Sequence, residues 1–217
     1  MFLVSMCPIN FKANYIQPIT IMKRENKSYV PYEAALVEFN PKDELDLNTI
    51  KDISLSWEEN SFAGWIHQNA FKRLFYQSNN KDHIYGIVKP QESYEKVQTK
   101  NVLGLADFSE DDNLTELNYL QTHPDNLSSK YPISTPMTIW QIIKKSLCGS
   151  KFFSKKREYK NIGSAMLNFL KDVSDYRIMG VYADKNAIDF YKHNDFVSID
   201  KNCPGHMFWR RENIVTD

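Results

Sequence analysis

The chain has 217 residues, of which 42% are apolar and 13% aromatic, and its 27 basic side chains balance 27 acidic ones. This length fits one domain with an embellishment, and a net charge of zero argues against a protein that grips nucleic acid through a basic field. Cys7, Cys148 and Cys203 form no CxxC pair, so we expect neither a zinc knuckle nor a disulfide framework. We expect a cytoplasmic protein with reduced thiols, no signal peptide and no membrane span.

The first predicted elements are an apolar strand at residues 1–9 and a β-hairpin formed by residues 15–23 and 28–39. Pro18 and Pro31 lie within the two hairpin strands. Because proline cannot donate to a sheet ladder, we expect both to occupy edge positions or bulges.

Helical spacing follows at residues 43–75, where apolar side chains recur at steps of three and four. Three predicted strands come next, at residues 83–88, 102–108 and 114–122. Short polar links join them, which predicts an antiparallel meander.

The second half of the chain contains the strongest helical pattern, at residues 162–173, whose apolar side chains fall on one face. A strand at 176–182, a helix at 186–192 and two strands at 196–199 and 206–210 complete the prediction. This order predicts a mixed α/β (α+β) fold rather than a doubly wound parallel sheet.

Residues 124–156 fit none of these patterns and are interpreted as an insertion with one predicted helix at 138–147. The overlapping segment 144–160 carries seven Lys and Arg residues against one Glu. A solvated insertion explains this charge, and contact with a cofactor phosphate or an acidic partner such as RNA are the alternatives.

The segment ahead of the helix at Ile162 has the character of an anion site. A tight turn that leads into a helix leaves several backbone N–H groups without partners, and Gly163 and Ser164 let a ligand approach the backbone. An ordinary helix start with a well-packed glycine is the alternative.

A second segment of interest spans residues 183–196, where a strand ends and a short helix begins. Asp184 is placed to cap that helix, and Tyr191 lies four residues after Ala187 on one helix face. Taken alone, Tyr191 is also compatible with a half-buried aromatic that anchors the helix.

Together the two segments resemble the GNAT superfamily of acetyltransferases. That family has a cofactor loop of the form (Gln/Arg)-x-x-Gly-x-(Gly/Ala) and a late helix of the form Asn-x-x-Ala-Ile-x-x-Tyr-x-x-x-Gly-Phe. Residues 158–163 occupy the loop and 184–196 the late helix, and the resemblance covers about residues 83–210. It implies a mixed, mostly antiparallel, twisted central sheet flanked by helices, in a single domain 1–217 with the insertion at about 124–156.

The resemblance also implies acetyl-CoA as co-substrate. The residues expected to bind it lie in the loop, at the end of the last meander strand and ahead of the late helix: Arg157, Glu158, Tyr159, Lys160, Asn161, Ile162, Gly163, Ser164, Leu120, Gln121, Thr122 and Asn186. Backbone N–H groups near Leu120, Gln121 and Thr122 are the candidates for polarising the thioester carbonyl, at a point where the strand would splay from its neighbour.

The chain departs from the family pattern at four positions, and at one of them Asp184 stands where Asn is common, with Asn186 two residues on. Asn161 stands where the first loop glycine is usual, and asparagine tolerates the left-handed backbone conformation better than most residues. Glu158 stands at the Gln/Arg position, so we expect it to point away from the pyrophosphate, with Arg157 or Lys160 compensating. Asp195 replaces the glycine that precedes the final Phe of the late helix.

The catalytic residues implied by the resemblance are Tyr191, as proton donor to the leaving thiolate, and Glu116, as a base for the amine. Strand alternation predicts that Glu116, Asn118 and Leu120 share one face. A solvent-facing strand carboxylate is the alternative for Glu116.

The predicted function is transfer of an acetyl group to a primary amine of a small molecule, peptide or protein. A catalytically weak acyl-CoA-binding regulatory or interaction module is the alternative, and the acceptor is not identified. The five histidines show no metal-ligand spacing, so we predict no metal site. We expect no membrane or nucleic-acid partner, and a homodimer through Trp209 and the last strand stays an open alternative.

Overall fold

The computed structural model describes residues 13–57, 62–75, 81–111, 114–126 and 157–211. The strands are β1 Asn14–Glu25, β2 Ser28–Phe39, β3 Lys81–Val88, β4 Val102–Asp111, β5 Leu114–Thr122, β6 Tyr159–Lys160, β7 Ile178–Tyr182, β8 Val197–Ser198 and β9 His206–Arg210. The helices are α1 Glu44–Ser56, α2 Phe62–Arg73, α3 Ile162–Val173 and α4 Ile188–Lys192.

The strands form a nine-stranded sheet in the order β6-β1-β2-β3-β4-β5-β7-β9-β8. Neighbouring strands are antiparallel except for β5 and β7, which pair in parallel. The predicted meander is confirmed as β3, β4 and β5, and so is the predicted mixed, mostly antiparallel sheet.

Helices cover both faces of the sheet, and each face has its own apolar core. On one side, here called the α2 face, Ile50 and Ile53 of α1 and Ile66 of α2 pack against strand residues such as Val37. On the other side, the α3 face, α3 contributes a core row: Ile162, Met166, Leu167, Phe169 and Leu170. Burying apolar side chains on both faces explains why the predicted amphipathic helices settle there.

The hairpin of β1 and β2 is confirmed, with Asn26 of its turn in the left-handed region at φ 54°. Pro18 pairs with Ala35 in the ladder, and Pro31 pairs with Met22. On their other sides neither proline faces a paired strand residue within the described chain, since β6 reaches only Met22 and Lys23 and β3 begins pairing at Ala35. Both prolines therefore occupy edge positions, as expected.

The predicted helical region at 43–75 consists of two helices. Asp43 caps α1, because its Oδ1 accepts hydrogen bonds from the amides of Leu45 at 2.9 Å and Asp46 at 3.1 Å. The side chain of Asp46 is itself buried at the start of α1 and accepts from the amide of Asn40 at 2.8 Å.

The late helix differs from its prediction at the first turn. It begins at Ile188 rather than at residue 186, and its cap position, Ala187, makes no side-chain capping bond. Asp184 instead accepts from the amide of Asn186 at 2.9 Å, while its carbonyl accepts from Ala187 at 2.8 Å. Asp184 thus closes a separate turn between β7 and α4, because an Asp side chain readily bonds the amide two residues on.

Three sequence predictions lie outside the described residues: the strand at 1–9, the helix at 138–147 and most of the basic segment 144–160. The insertion is described only at its start, as a 3₁₀ helix at Pro124–Asn126. Within the described ranges, no helix is long and apolar enough to span a membrane.

Candidate active site

A β-bulge in β5 determines which side chains face each side of the sheet. Phe108 of β4 pairs with Leu117, whereas the preceding residue, Asp107, pairs with Tyr119. Asn118 is therefore an extra residue in β5, and its side chain donates to the Ser109 hydroxyl at 3.1 Å.

The bulge corrects the predicted alternation of β5. Leu117 and Leu120 both pack in the core of the α3 face, although they lie three residues apart. Tyr119 instead packs on the α2 face. Glu116 pairs with Ser109 and so also lies on the α2 face, which means that Glu116 and Leu120 are on opposite faces.

The two strands β5 and β7 separate from each other beyond this bulge. Their parallel pairing covers only residues 115–117 of β5 and 179–181 of β7. The remainder of β5 continues along β4 as far as Thr122, while β7 ends at Tyr182 and turns toward α4. We call the resulting gap the opening, and it lies where the sequence predicted that the strand would splay.

The hydrogen-bond pattern of β5 decides which of its amides face the opening. The His123 amide donates to the Leu103 carbonyl across the ladder at 2.8 Å. Since hydrogen-bonded and non-hydrogen-bonded pairs alternate in an antiparallel ladder, the amide of Gln121 also points toward β4, and those of Leu120 and Thr122 point into the opening. Leu120 and Thr122 are thus the available donors, and the predicted contribution of a Gln121 amide is not supported by the geometry.

The N-terminus of α3 lies at the end of this opening. Asn161 adopts the left-handed conformation with φ 62° and makes no side-chain capping bond. The first helical bond found is from the Ala165 amide to the Asn161 carbonyl at 2.9 Å. The amides of Ile162, Gly163 and Ser164 therefore have no intrahelical acceptor, and the helix dipole adds a partial positive charge at the same end.

Gly163 allows α3 to approach both β5 and α4 closely. A Cβ added at Gly163 would lie 2.9 Å from the ring of Phe190 and 3.8 Å from Thr122 Cγ2. The start of α3, the end of β5 and α4 are therefore neighbours at one end of the opening.

The loop ahead of α3 is held to the hairpin as an additional strand, which the sequence did not predict. Tyr159 and Lys160 pair with β1, and the Asn126 side chain accepts from the Tyr159 amide at 3.0 Å. The Tyr29 hydroxyl donates to the Arg157 carbonyl at 2.8 Å, and the Lys160 ammonium lies 3.8 Å from the Tyr29 ring centroid.

The side chain of Glu158 is exposed. Burial first, and then the nearby Glu158 carboxylate and Tyr32, raise the pKa of Tyr159. Glu158 is thus associated with Tyr159 of the edge strand β6.

Tyr191 lies in the α3-face core and is only 6% exposed. Its ring packs edge-on against Phe190 and Phe196, at centroid distances of 5.1 and 5.4 Å. The hydroxyl makes no hydrogen bond to another described residue. Burial raises the pKa of Tyr191, which keeps the phenol protonated.

In the turn after α4, Asp195 stands at the motif's glycine position and adopts the left-handed conformation that glycine favours. Asp195 has φ 65°, so both family glycine positions filled here by Asn161 and Asp195 adopt the left-handed region. Lys171 of α3 is buried beneath this turn and donates to the Asn194 carbonyl at 2.7 Å. The Trp209 ring centroid lies 5.3 Å from the Lys171 ammonium, and Trp209 is partly buried against the α3-face core.

Sequence reasoning missed the side chains on the α2 face. The helical stripe of α2 divides into core residues such as Ile66 and a flank toward β5 with four members: Phe62, Trp65, Asn69 and Arg73. Arg73 contacts Asp107, which is fully buried, at 2.5 Å and Asp82 at 3.2 Å. The spacing of three and four residues was the available signal, but it does not separate a core face from an adjoining flank.

Within the described ranges, no group of three or more His, Cys, Asp or Glu side chains is arranged to hold a metal ion. The expected residues at Leu120, Thr122 and 161–164 converge on the opening, and Tyr191 adjoins them through Phe190. Asn186 lies in the exposed turn between β7 and α4.

No protein-family model matches the sequence, and no curated protein matches it. Among solved structures, the chain is similar to GCN5 of Tetrahymena, with 14% identity, a TM-score of 0.40 and coverage of 76% of this chain and 86% of that one. It is also similar to the PaiA N-acetyltransferase of Thermoplasma acidophilum in complex with coenzyme A, with 14% identity, a TM-score of 0.45 and coverage of 82% and 99%.

The architecture matches the one implied by the sequence resemblance. A mostly antiparallel sheet is flanked by helices, a parallel pair adjoins the opening, and α3 begins from a left-handed residue at its end. The chain has a GNAT-like fold.

Proposed function

We propose that the chain is an N-acetyltransferase that moves an acetyl group from acetyl-CoA to a primary amine. The observation that carries the proposal is the opening between β5 and β7, which ends at the uncapped N-terminus of α3, where Phe190 connects it to the ring of Tyr191. The motif resemblance in residues 158–163 and 184–196 supports the same assignment.

The residues around the opening fit a CoA group. The amides of Ile162, Gly163 and Ser164 lack intrahelical acceptors, which suits a pyrophosphate. A side chain at position 163 would collide with Phe190, so the glycine leaves room for close approach to the backbone. The amides of Leu120 and Thr122 would hold the acyl arm, because they point into the opening and have no strand partner there.

Acetyl-CoA, when bound, supplies a thioester carbonyl that a neutral amine attacks. An alkylamine has a pKa near ~10.4, so only about one in a thousand is neutral at pH 7, and a base is required. Glu116 is proposed to accept the ammonium proton at its carboxylate from the α2 face. Tyr191 is proposed to donate its hydroxyl proton to the leaving sulfur from the α3 face as the C–S bond breaks, and the second proton that the nitrogen loses on becoming an amide restores the phenol through solvent. The raised pKa of Tyr191 suits a group that must carry a proton.

The test is calorimetric titration of the full chain with acetyl-CoA, repeated with desulfo-CoA and ATP. We expect micromolar binding of acetyl-CoA and desulfo-CoA and none of ATP, followed by acetyl transfer in a screen of primary amines. Absence of binding at millimolar acetyl-CoA would remove the proposal. Binding without transfer to any amine would instead favour an acyl-CoA-binding module.

A further inference from the structure

The flank of α2 that faces β5 presents aromatic rings to solvent. Phe62 and Trp65 are 42% and 50% exposed, although both are large and apolar. Their ring centroids lie 5.8 and 6.4 Å from that of Tyr119, and the planes of Trp65 and Tyr119 are within 17° of parallel. These three residues, here called the aromatic wall, stand beside Glu116 on the same face of β5.

Polar contacts hold this wall to the sheet independently of the rings. The Ala63 amide at the start of α2 donates to Gln121 Oε1 at 2.7 Å. Toward its other end, Asn69 and Arg73 donate to Asp107 at 3.0 and 2.5 Å. The wall is therefore positioned before a ligand arrives, which reduces the entropic cost of stacking against it.

A second aromatic surface lies across β5 from the wall. Tyr182, at the end of β7, is 68% exposed and stacks on His206 with a centroid distance of 4.4 Å and an interplanar angle of 3°. Gly180 pairs with Glu116 on this face, and the Phe208 ring lies over Gly180, 3.3 Å from where a Cβ would be. Glu116 therefore lies on the α2 face with aromatic side chains of α2 and β5 on one side and of β7 and β9 on the other, and we call this surface the α2-face groove.

The charge near this groove favours a cation. Asp82, Asp107 and Glu116 lie on the same face of β3, β4 and β5, and Arg73 is the guanidinium that contacts the first two. Because Arg73 contacts Asp82 and Asp107, Glu116 is the carboxylate of these three that forms no ion pair within the described residues, and it can attract an ammonium group.

We infer that the acceptor is a small primary amine carrying a flat, apolar group, with its ammonium at Glu116 and its ring against Trp65 and Tyr119. The inference rests on the proposed function and names the substrate class of the same site. Aromatic faces stack on planar apolar groups and attract a neighbouring cation, whereas a linear polyamine would leave the wall uncovered.

The experiment is calorimetric titration of the full chain with 2-phenylethylamine, butylamine and 2-phenylethanol, with and without saturating desulfo-CoA. We expect 2-phenylethylamine to bind about tenfold more tightly than butylamine. Trp65→Ala should weaken 2-phenylethylamine about threefold to tenfold and leave butylamine unchanged. Glu116→Gln should weaken both amines and spare the alcohol, which carries no charge.

Phe75→Ala is the matched control, because Phe75 is 69% exposed just beyond α2 and its ring contacts Phe71 rather than Tyr119. The inference would be overturned if 2-phenylethylamine did not bind or bound no more tightly than butylamine. It would also be overturned if Trp65→Ala bound 2-phenylethylamine as tightly as the natural chain. Acetyl transfer to spermidine or a lysine peptide, without 2-phenylethylamine binding, would overturn it and leave the proposed function standing. If the chain bound 2-phenylethylamine selectively but did not bind acetyl-CoA, the inferred amine site would be supported and the proposed acetyltransferase function would be wrong.

Discussion

The two faces of β5 contribute to the candidate site through different parts of the chain. Toward the opening and the α3 face, the contribution is backbone: the amides of Leu120 and Thr122 and the uncapped start of α3. On the α2 face it consists of side chains, namely the aromatic wall and Glu116. Backbone donors tolerate changes of side chain that preserve φ and ψ, so a cofactor site can persist while the acceptor groove changes.

Each face also has a cation packed against it, which is partly buried on the α2 face and buried on the α3 face. On the α2 face, Arg73 bridges a helix to two carboxylates of the sheet. On the α3 face, Lys171 contacts a carbonyl of the turn after α4 and the ring of Trp209. The first contact neutralises buried negative charge, whereas the second ties α3 to the segment that carries Tyr191.

The largest expected effect comes from removing the proton donor on the α3 face. Tyr191→Phe should lower kcat by about 10²- to 10⁴-fold, because general acid catalysis contributes about that factor, and should leave acetyl-CoA affinity unchanged. Steady-state kinetics and calorimetry measure the two quantities. Tyr94→Phe is the control, because it also removes a tyrosine hydroxyl, from a ring that lies tilted against Tyr15 at a centroid distance of 5.1 Å. An undiminished kcat in Tyr191→Phe would assign proton donation elsewhere.

On the α2 face, the next largest effect is expected from the ion pair between the partly buried Arg73 and the fully buried Asp107. Arg73→Met should lower the free energy of unfolding by about 3–5 kcal/mol, since it leaves the fully buried Asp107 without its cation. Urea unfolding measures the loss, and the exposed neighbour in Lys72→Met is the control. The double variant with Asp107→Asn should recover part of the stability. A loss below about 1 kcal/mol in Arg73→Met would mean that Asp107 needs no counter-charge.

The elements beside the opening were predicted from the sequence more completely than the side chains of the α2 face. Helical periodicity predicted α3 closely, because this helix buries a continuous apolar row, whereas strand periodicity predicted the bounds of β5 but not the facing of its side chains. The family motif led to Asn161, whose left-handed tolerance is a property of the residue itself. The local sequence was therefore enough to predict the left-handed turn and the start of α3 beside the opening.

The side chains of the α2 face were not accessible in the same way. The extra residue at Asn118 moves each later side chain of β5 to the opposite face of the sheet from the one that alternation predicts. No particular residue type marks the position of such a bulge in a sequence. The strand β6 exists because two residues pair with β1, so its signal lies in a partner more than a hundred residues away. Both are tertiary effects that a single segment does not encode.

A smaller effect is expected on the pH dependence of folding stability, through Asp46 of α1 on the α2 face. Burial, partly offset by the hydrogen bond from Asn40, raises the pKa of Asp46 to about 6 from 3.8. The folded state favours the protonated form, so this contribution to stability is complete below about pH 3.8 and is lost as pH rises through about 6. The loss is at most about 3 kcal/mol, at 1.36 kcal/mol per pKa unit.

Asp46→Asn tests this expectation, because it removes the titrating group and keeps an oxygen that can accept from Asn40. Urea unfolding between pH 4 and 8 should show a smaller fall in stability with pH for Asp46→Asn than for the natural chain. Asp52→Asn, which changes an exposed carboxylate on the same helix, should retain the natural slope. Identical slopes in all three proteins would place the pKa of Asp46 near its ordinary value.

The smallest expected effect concerns the backbone of the α3 face. Asn161→Ala should lower the free energy of unfolding by about 1–2 kcal/mol, because alanine lacks the tolerance of asparagine for φ near 62°. Asn161→Gly removes the steric penalty and should stay within about 0.5 kcal/mol of the natural chain. If the turn positions the amides of 162–164, Asn161→Ala should also weaken acetyl-CoA binding, while Asn161→Gly retains it. Loss of binding in the glycine variant alone would show that the asparagine side chain, rather than the left-handed turn, contacts the cofactor.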